Sequence, residues 1–180
     1  DFLYFRIDRK KKILISTLLL ALGYSKNDIV NEFYEKEIYS FDDKIKKWKT
    51  KFVPENYKSK NFSEEVIDAK NGKVVIKNGD KINFLTAKKL QNEGLNEIFV
   101  SNESLHSKFL HKDIEIGEEI FRIGTEINET ILDKILEAKI HKIEISNTNS
   151  INKGPYLLTT ILNDKNQNKN EAITEIYKVL

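Results

Sequence analysis

The chain has 180 residues, 32% charged and 39% hydrophobic, with a net charge of only +2. It is long enough to bury a core in one domain or two small ones, and any anion binding must come from local clustering of charge. There is no Cys, which excludes a disulfide framework and thiolate metal sites and suits a reducing compartment. There is also no Met, and with Asp1 in front the chain reads as a piece excised from something longer rather than a processed product.

Phe2 to Ile7 is short and aromatic-rich, which predicts a strand. Arg6-Ile7-Asp8-Arg9-Lys10-Lys11-Lys12 then sets six charges in seven residues against the apolar run Ile13 to Leu22. The basic side must meet solvent or an anion, and the apolar side must be buried. As a signal peptide the stretch lacks a charged start, since Phe2-Leu3-Tyr4-Phe5 stands there, and no small-residue cleavage pattern follows. The run is also far short of the ~20 residues that span a bilayer. A buried helix, apolar all round and packed on several sides, is predicted instead. Gly23 is placed to end it in a left-handed cap. Ser25, with Asp28 three residues on, opens a second helix through Phe33 whose buried stripe is Ile29, Val30 and Phe33. The outcome is an αα-hairpin turning at Gly23-Tyr24. A DNA-reading helix-turn-helix has the same outline, but this second helix carries Asp28 and Glu32 and no Arg.

Lys44-Ile45-Lys46-Lys47-Trp48-Lys49-Thr50-Lys51-Phe52 interleaves lysine with aromatics, the composition of a single-strand-binding surface. The reading favoured here is an edge strand, with Trp48, Thr50 and Phe52 on one face and Lys47, Lys49 and Lys51 on the other guarding the sheet edge. Pro54 breaks the run. From about Val66 the chain repeats itself: the stretch Gly72 to Ile82 recurs, shifted by 45 residues, as Gly117 to Ile127. Helices are predicted over Thr86 to Gly94 and Thr130 to Lys139, with Leu90 and Ile135 equivalent. Strands follow over Leu95 to Val100 and Ile140 to Ile145. Each unit reads as strand, glycine turn, short strand, helix, strand, and two copies are too few for a solenoid. After Asn147 come a polar loop, Gly154-Pro155-Tyr156 and a short apolar strand or helix start through Leu162. The low-complexity stretch Asn163 to Asn170 reads as a solvent loop. Ala172 to Leu180 fits strand or helix.

Catalytic and metal-binding patterns are not evident. The histidines are His106, His111 and His141, and a zinc site needs three or four ligands at compatible spacing. None of the seven glycines forms a phosphate-cradling loop. Asp42-Asp43 reads as a turn in a lysine-rich region, and no nucleophile has an adjacent base and orienter.

Several stretches together resemble the lobe region of the bacterial RNA polymerase beta subunit. They are Arg6 to Lys12, Thr17-Leu18-Leu19, Ala21-Leu22-Gly23-Tyr24, Val53-Pro54-Glu55, Gly72 to Ile82, Gly154-Pro155-Tyr156 and Glu175-Ile176-Tyr177. They fall in the family's order at similar spacing and cover essentially the whole chain. Pro usually stands in place of Leu14 and Arg in place of Leu20. The resemblance implies an α+β fragment of a larger subunit. In it, 1–34 and 154–180 form a discontinuous part of the lobe, and 35–153 is a lineage-specific inserted module with repeats at about 66–100 and 111–145. It also implies a place beside the downstream DNA channel of a DNA-directed RNA polymerase, a nucleotidyltransferase of the bacterial cytoplasm. The implied partners are the other polymerase subunits, sigma factor, and downstream and non-template DNA, with no membrane. Asp8 is then expected near a pocket that contacts a non-template base, since a carboxylate accepts hydrogen bonds from a base's amino and imino groups. Arg6, Arg9, Lys10, Lys11 and Lys12 are expected to contact phosphates. The competing expectation for Asp8 is a surface pairing with Arg6 or Arg9. No catalytic residue or cofactor is expected in this chain, because in the family the catalytic magnesium is held by a different subunit. Two other functions remain open: the insertion as a docking surface for transcription regulators, and a free-standing basic nucleic-acid adaptor.

Overall fold

The computed structural model describes residues 1–58, 60–148 and 154–180. Strands β1 to β7 are Tyr4–Arg6, Lys12–Leu14, Lys36–Asp42, Lys47–Lys51, Lys60–Asn61, Val66–Asp68 and Val74–Ile76; β8 to β13 are Lys81–Ile82, Glu97–Val100, Phe109–Leu110, Ile114–Ile116, Glu119–Phe121 and Lys142–Ser146. Helices α1 to α6 are Ile15–Ala21, Lys26–Phe33, Phe84–Asn92, Glu129–Glu137, Tyr156–Asn163 and Lys169–Val179. The fold is α+β. Its residues cluster into two compact units, one of 1–36, 107–127 and 144–180, the other of 37–106 and 128–143.

In the first unit the apolar run is not one helix. Lys12–Leu14 is a strand paired antiparallel with Tyr4–Arg6, and the helix begins only at Ile15. The aromatic strand needs a partner for its backbone groups, and the nearest chain across the charged turn supplies it. Ile13 is still buried, at 4% exposed, as the inward residue of that hairpin. The end of α1 matches expectation. Gly23 has φ +103°, its N–H donates to the Leu20 carbonyl (2.9 Å), and the Tyr24 N–H donates to the Leu19 carbonyl (3.2 Å). That pair of bonds is a Schellman cap.

The capping box at α2 is complete. The Asp28 N–H donates to Ser25 Oγ (3.0 Å), and the Ser25 N–H donates to Asp28 Oδ2 (2.9 Å). Ile29 and Val30 are buried, but Phe33 is 48% exposed. Because the helix stops there, Tyr34 steps into extended backbone and takes the inward place. Tyr34 joins Ile29, Val30, Ile123, Leu157, Leu158 and Ile161 in one apolar cluster. Gly124, at φ +87°, lies so close to α5 that a Cβ there would collide with the Leu158 carbonyl oxygen.

Residues 163–170 are not a solvent loop throughout. Asp164 and Asn166 are buried between α1 and the start of α6. Asp164 Oδ2 accepts from Ser16 Oγ and from Thr17 Oγ1 (2.9 Å), while Oδ1 accepts from the Asn166 N–H (3.0 Å) and Nδ2 (2.9 Å). Two hydroxyls from the first turn of α1 satisfy this carboxylate in place of water. The segment after it is helical, with Asn168 as the N-cap accepting from the Glu171 N–H (3.0 Å).

In the second unit β4 lies between β3 and β9, antiparallel to both, in the order β3-β4-β9-β6-β7. It is an interior strand, not an edge. Its lysines alternate because one face of the sheet is wet, and a one-sided central strand shows the same pattern as an edge. Trp48 and Phe52 are fully buried on the other face, and Trp48 Nε1 donates to Asn102 Oδ1 (2.8 Å). Asp42 Oδ1 accepts from the N–H groups of Lys44 (2.9 Å) and Ile45 (3.0 Å), so the Asp42-Asp43 pair is the expected turn.

The two repeated stretches share elements, with helices starting earlier than expected, at Phe84 and Glu129. Glu126 forms an isolated bridge where the first copy has the short strand β8. The helices α3 and α4 and the starts of β9 and β13 are offset by 45 residues, and Asn83 and Asn128 are equivalent N-caps. Gly79 and Gly124 both hold positive φ. The hairpins β6–β7 and β11–β12 are also equivalent, the second having the shorter loop.

Candidate nucleic-acid interface

The basic residues singled out in sequence lie on one element, the β1–β2 hairpin of the first unit. Its register pairs Tyr4 with Leu14, Phe5 with Ile13 and Arg6 with Lys12. The turn closes through the Ile7 N–H donating to the Lys11 carbonyl (2.9 Å). Asp8 sits inside that turn, where its Oδ1 accepts from the N–H groups of Lys10 (2.8 Å) and Lys11 (2.9 Å). Asp8 is therefore the turn's own cap, an arrangement distinct from the base contact and the Arg pairing expected of it. The Lys10 N–H, and after it the N–H and ammonium of Lys11, hold the Asp8 carboxyl below its ordinary value, so it stays ionised.

Around this single carboxylate stand Arg6, Arg9, Lys10, Lys11 and Lys12. Arg6 and Lys12 face each other directly across the ladder, an arrangement that opposes like charges and destabilises a hairpin in water. Lys12 Nζ turns back over the ring of Tyr4, 4.0 Å from its centroid, a cation–π contact. Lys11 Nζ donates to the Leu180 carbonyl (2.9 Å) at the end of α6. The root of the hairpin is fixed as well: the Leu3 N–H donates to Thr160 Oγ1 (2.8 Å), and the Ile15 N–H donates to the Leu3 carbonyl (3.0 Å). Tyr4 had no part in the sequence reading of the site. Its signal was there, because residues 4 and 12 become diagonal neighbours once 6 and 12 are paired.

The other candidate does not survive. Trp48 and Phe52 are sealed in the sheet's inner face, so the lysine-aromatic run of β4 offers no ring on which a base could stack. Among the described residues no three His, Asp or Glu side chains group so as to hold a metal ion. His111, unremarked in sequence beyond its place among three histidines, is buried in the first unit. Its Nδ1 lies 2.7 Å from Ser146 Oγ and its Nε2 2.7 Å from Asn31 Oδ1. Because Asn31 offers a carbonyl oxygen, Nε2 carries the proton and Ser146 donates to Nδ1. Burial pushes its pKa below the ordinary histidine value. No helix among the described residues is long and apolar enough to cross a membrane.

Comparison with known proteins finds similarity along the whole chain. Over its whole length the chain is 36% identical to the DNA-directed RNA polymerase subunit beta of Rickettsia conorii and 37% identical to that of Rickettsia felis. The chain is homologous to one segment of the RNA polymerase beta subunit. It spans 13% of the length of each of these relatives, and the same holds for the Rickettsia akari subunit at 36% identity. No family model matches. In this chain the β1–β2 hairpin gathers Arg6, Arg9, Lys10, Lys11 and Lys12 on one exposed turn.

Proposed function

We propose that this segment forms part of the beta-subunit lobe beside the downstream DNA channel, contributing to DNA-templated RNA synthesis by a bacterial cytoplasmic polymerase. In this reading 1–34 and 154–180 belong to the lobe and 35–153 is inserted into it. The packing of α1 against α5 and α6 supports joining the two ends. Residues 107–127 cluster with those ends, so the second repeat contributes to both units. The assembled enzyme is a nucleotidyltransferase that works with its other subunits and sigma factor. This segment supplies channel surface rather than reacting groups.

The observation that carries the reading is the Arg6–Lys12 opposition at an exposed tip. The two residues are neighbours on the backbone ladder, and phosphates bound by cations placed there release counterions. Arg9 and Lys10 extend the array, while Asp8 offers remaining lone pairs to a base's amino or imino hydrogens. The test uses the whole polymerase and measures how open-complex affinity falls with salt. Lys12→Ala and Lys10→Ala are each expected to reduce the slope of log affinity against log salt by about 1, the value of one phosphate contact. Unchanged slopes in both variants would remove the hairpin from the DNA path.

A further inference from the structure

The two repeat copies make an internal comparison, because one backbone carries two different surfaces. Residues 72–93 and 117–138 are equivalent at the 45-residue offset. The first stretch has five lysines against two carboxylates, Asp80 and Glu93; the second has two basic residues, Arg122 and Lys134, against six carboxylates. Both copies complete the same hairpin, glycine turn, helix and strand, so neither sign of charge is needed for folding. Apolar exposure differs at the same place. Phe84 and Leu85 open α3 at 39% and 76% exposed, whereas Glu129 and Thr130 occupy the equivalent positions in α4. Scattered surface leucines are ordinary. Here, however, the second copy shows the same helix start formed from polar residues.

The lysines lie around that apolar pair. Lys88 follows Phe84 by four positions and Leu85 by three, and Lys89 follows Leu85 by four, which makes them neighbours on the helix surface. Lys81 is exposed two residues before the N-cap Asn83. The first turn of α3 has no acidic residue, where α4 has Glu129, so no carboxylate of that turn offsets the positive end of the helix.

We propose that the start of α3 is a docking surface for an acidic, amphipathic protein segment. The partner seats an apolar side chain against Phe84 and Leu85 and sets carboxylates on Lys81, Lys88 and Lys89. Charge complementarity selects an acidic partner. Leu85, the more exposed of the pair, is aliphatic and so favours a protein side chain over a base, which stacks on rings. This surface is independent of the hairpin, so either assignment can fail alone.

The experiment uses polymerase containing the full-length subunit and a fluorescein-labelled helical peptide of about 16 residues, with leucines at i, i+3 and i+7 and Asp or Glu elsewhere. Binding is read by anisotropy against a scrambled peptide of the same composition. Leu85→Thr and Lys88→Asp each take the residue of the second copy, Thr130 and Asp133, and so preserve a backbone already known to accept them. Each is expected to weaken the peptide about fivefold or more, as truncation at an interface anchor does. Lys10→Ala in the hairpin is expected to leave peptide binding unchanged. Peptide affinity equal in wild type and both variants, or no preference over the scrambled peptide, would overturn the proposal. So would a single-stranded oligonucleotide that binds more tightly than the peptide and is lost with the same variants.

Discussion

Replacing Asp164 with alanine tests whether the buried polar knot of the first unit fastens α1 to the start of α6. The side chain is 3% exposed and accepts four hydrogen bonds, from Ser16 Oγ, Thr17 Oγ1, and the N–H and Nδ2 of Asn166. Ser16 and Thr17 are themselves 0% and 1% exposed, so their hydroxyls have no water to turn to. A stranded buried donor costs about 1–3 kcal/mol. Hydroxyls in a helix recover part of that from nearby carbonyls. The net loss expected for Asp164→Ala is about 3–5 kcal/mol, a large share of the 5–15 kcal/mol typical of a domain. With a urea slope of about 2 kcal/mol/M, the unfolding midpoint falls by roughly 2 M. Asp164→Asn keeps the Oδ1 acceptor and is expected to lose about 1–2 kcal/mol. Urea unfolding of this chain followed by far-UV circular dichroism reads both. An Asp164→Ala midpoint within about 0.5 M of wild type, well inside the shift that slope implies, would refute the reasoning.

Other expectations follow from single contacts. Gly124→Ala is expected to destabilise by more than Gly79→Ala, since both need positive φ but only Gly124 meets the Leu158 backbone; paired urea midpoints give the comparison. His111 has a depressed folded-state pKa, so the unfolded chain binds more protons between that value and the ordinary one near 6.5. Stability present above about pH 6.5 is therefore lost as pH falls through that window. The drop in urea midpoint from pH 7.5 to 5.5 should shrink in His111→Gln. Asp8→Asn retains an acceptor for the turn but removes the charge, whereas Asp8→Ala removes both. If Asp8 reads a base, open-complex lifetime in the polymerase falls for both variants; if it only caps the turn, Asp8→Asn behaves as wild type.

Local chemistry was legible in the sequence, and long-range pairing was not. Gly23 and the Ser25–Asp28 box announced their caps because all the atoms involved lie within a few residues. The 45-residue repeat announced itself because equivalent positions must satisfy the same backbone. Lys47, Lys49 and Lys51 were misleading, since alternation reports a wet face and says nothing of how many neighbours a strand has. Asp164 and Asn166 were misleading for a related reason. Their polarity was read correctly, but their partners, Ser16 and Thr17, lie about 150 residues away and look like ordinary helix residues. At the candidate interface the residue types were visible as a basic run. What joined them, the register opposing Arg6 to Lys12 and leaning Lys12 on Tyr4, required knowing that Lys12–Leu14 is a strand rather than the start of α1.

The hairpin's anchoring has a consequence for the thermodynamics of anything that binds its tip. A lysine-rich loop hanging free would lose much of its conformational freedom on meeting a phosphate chain, and each ordered side chain would subtract about 0.5–1.5 kcal/mol from the affinity. Here Leu3 is tied to Thr160 and to Ile15, Lys11 to Leu180, and the turn is closed by Asp8 before any ligand arrives. Most of the ordering is thus completed in folding. A polyanion binding this tip would meet an ordered backbone, and the ordering left to binding would lie in the exposed Arg6, Arg9 and Lys10 side chains.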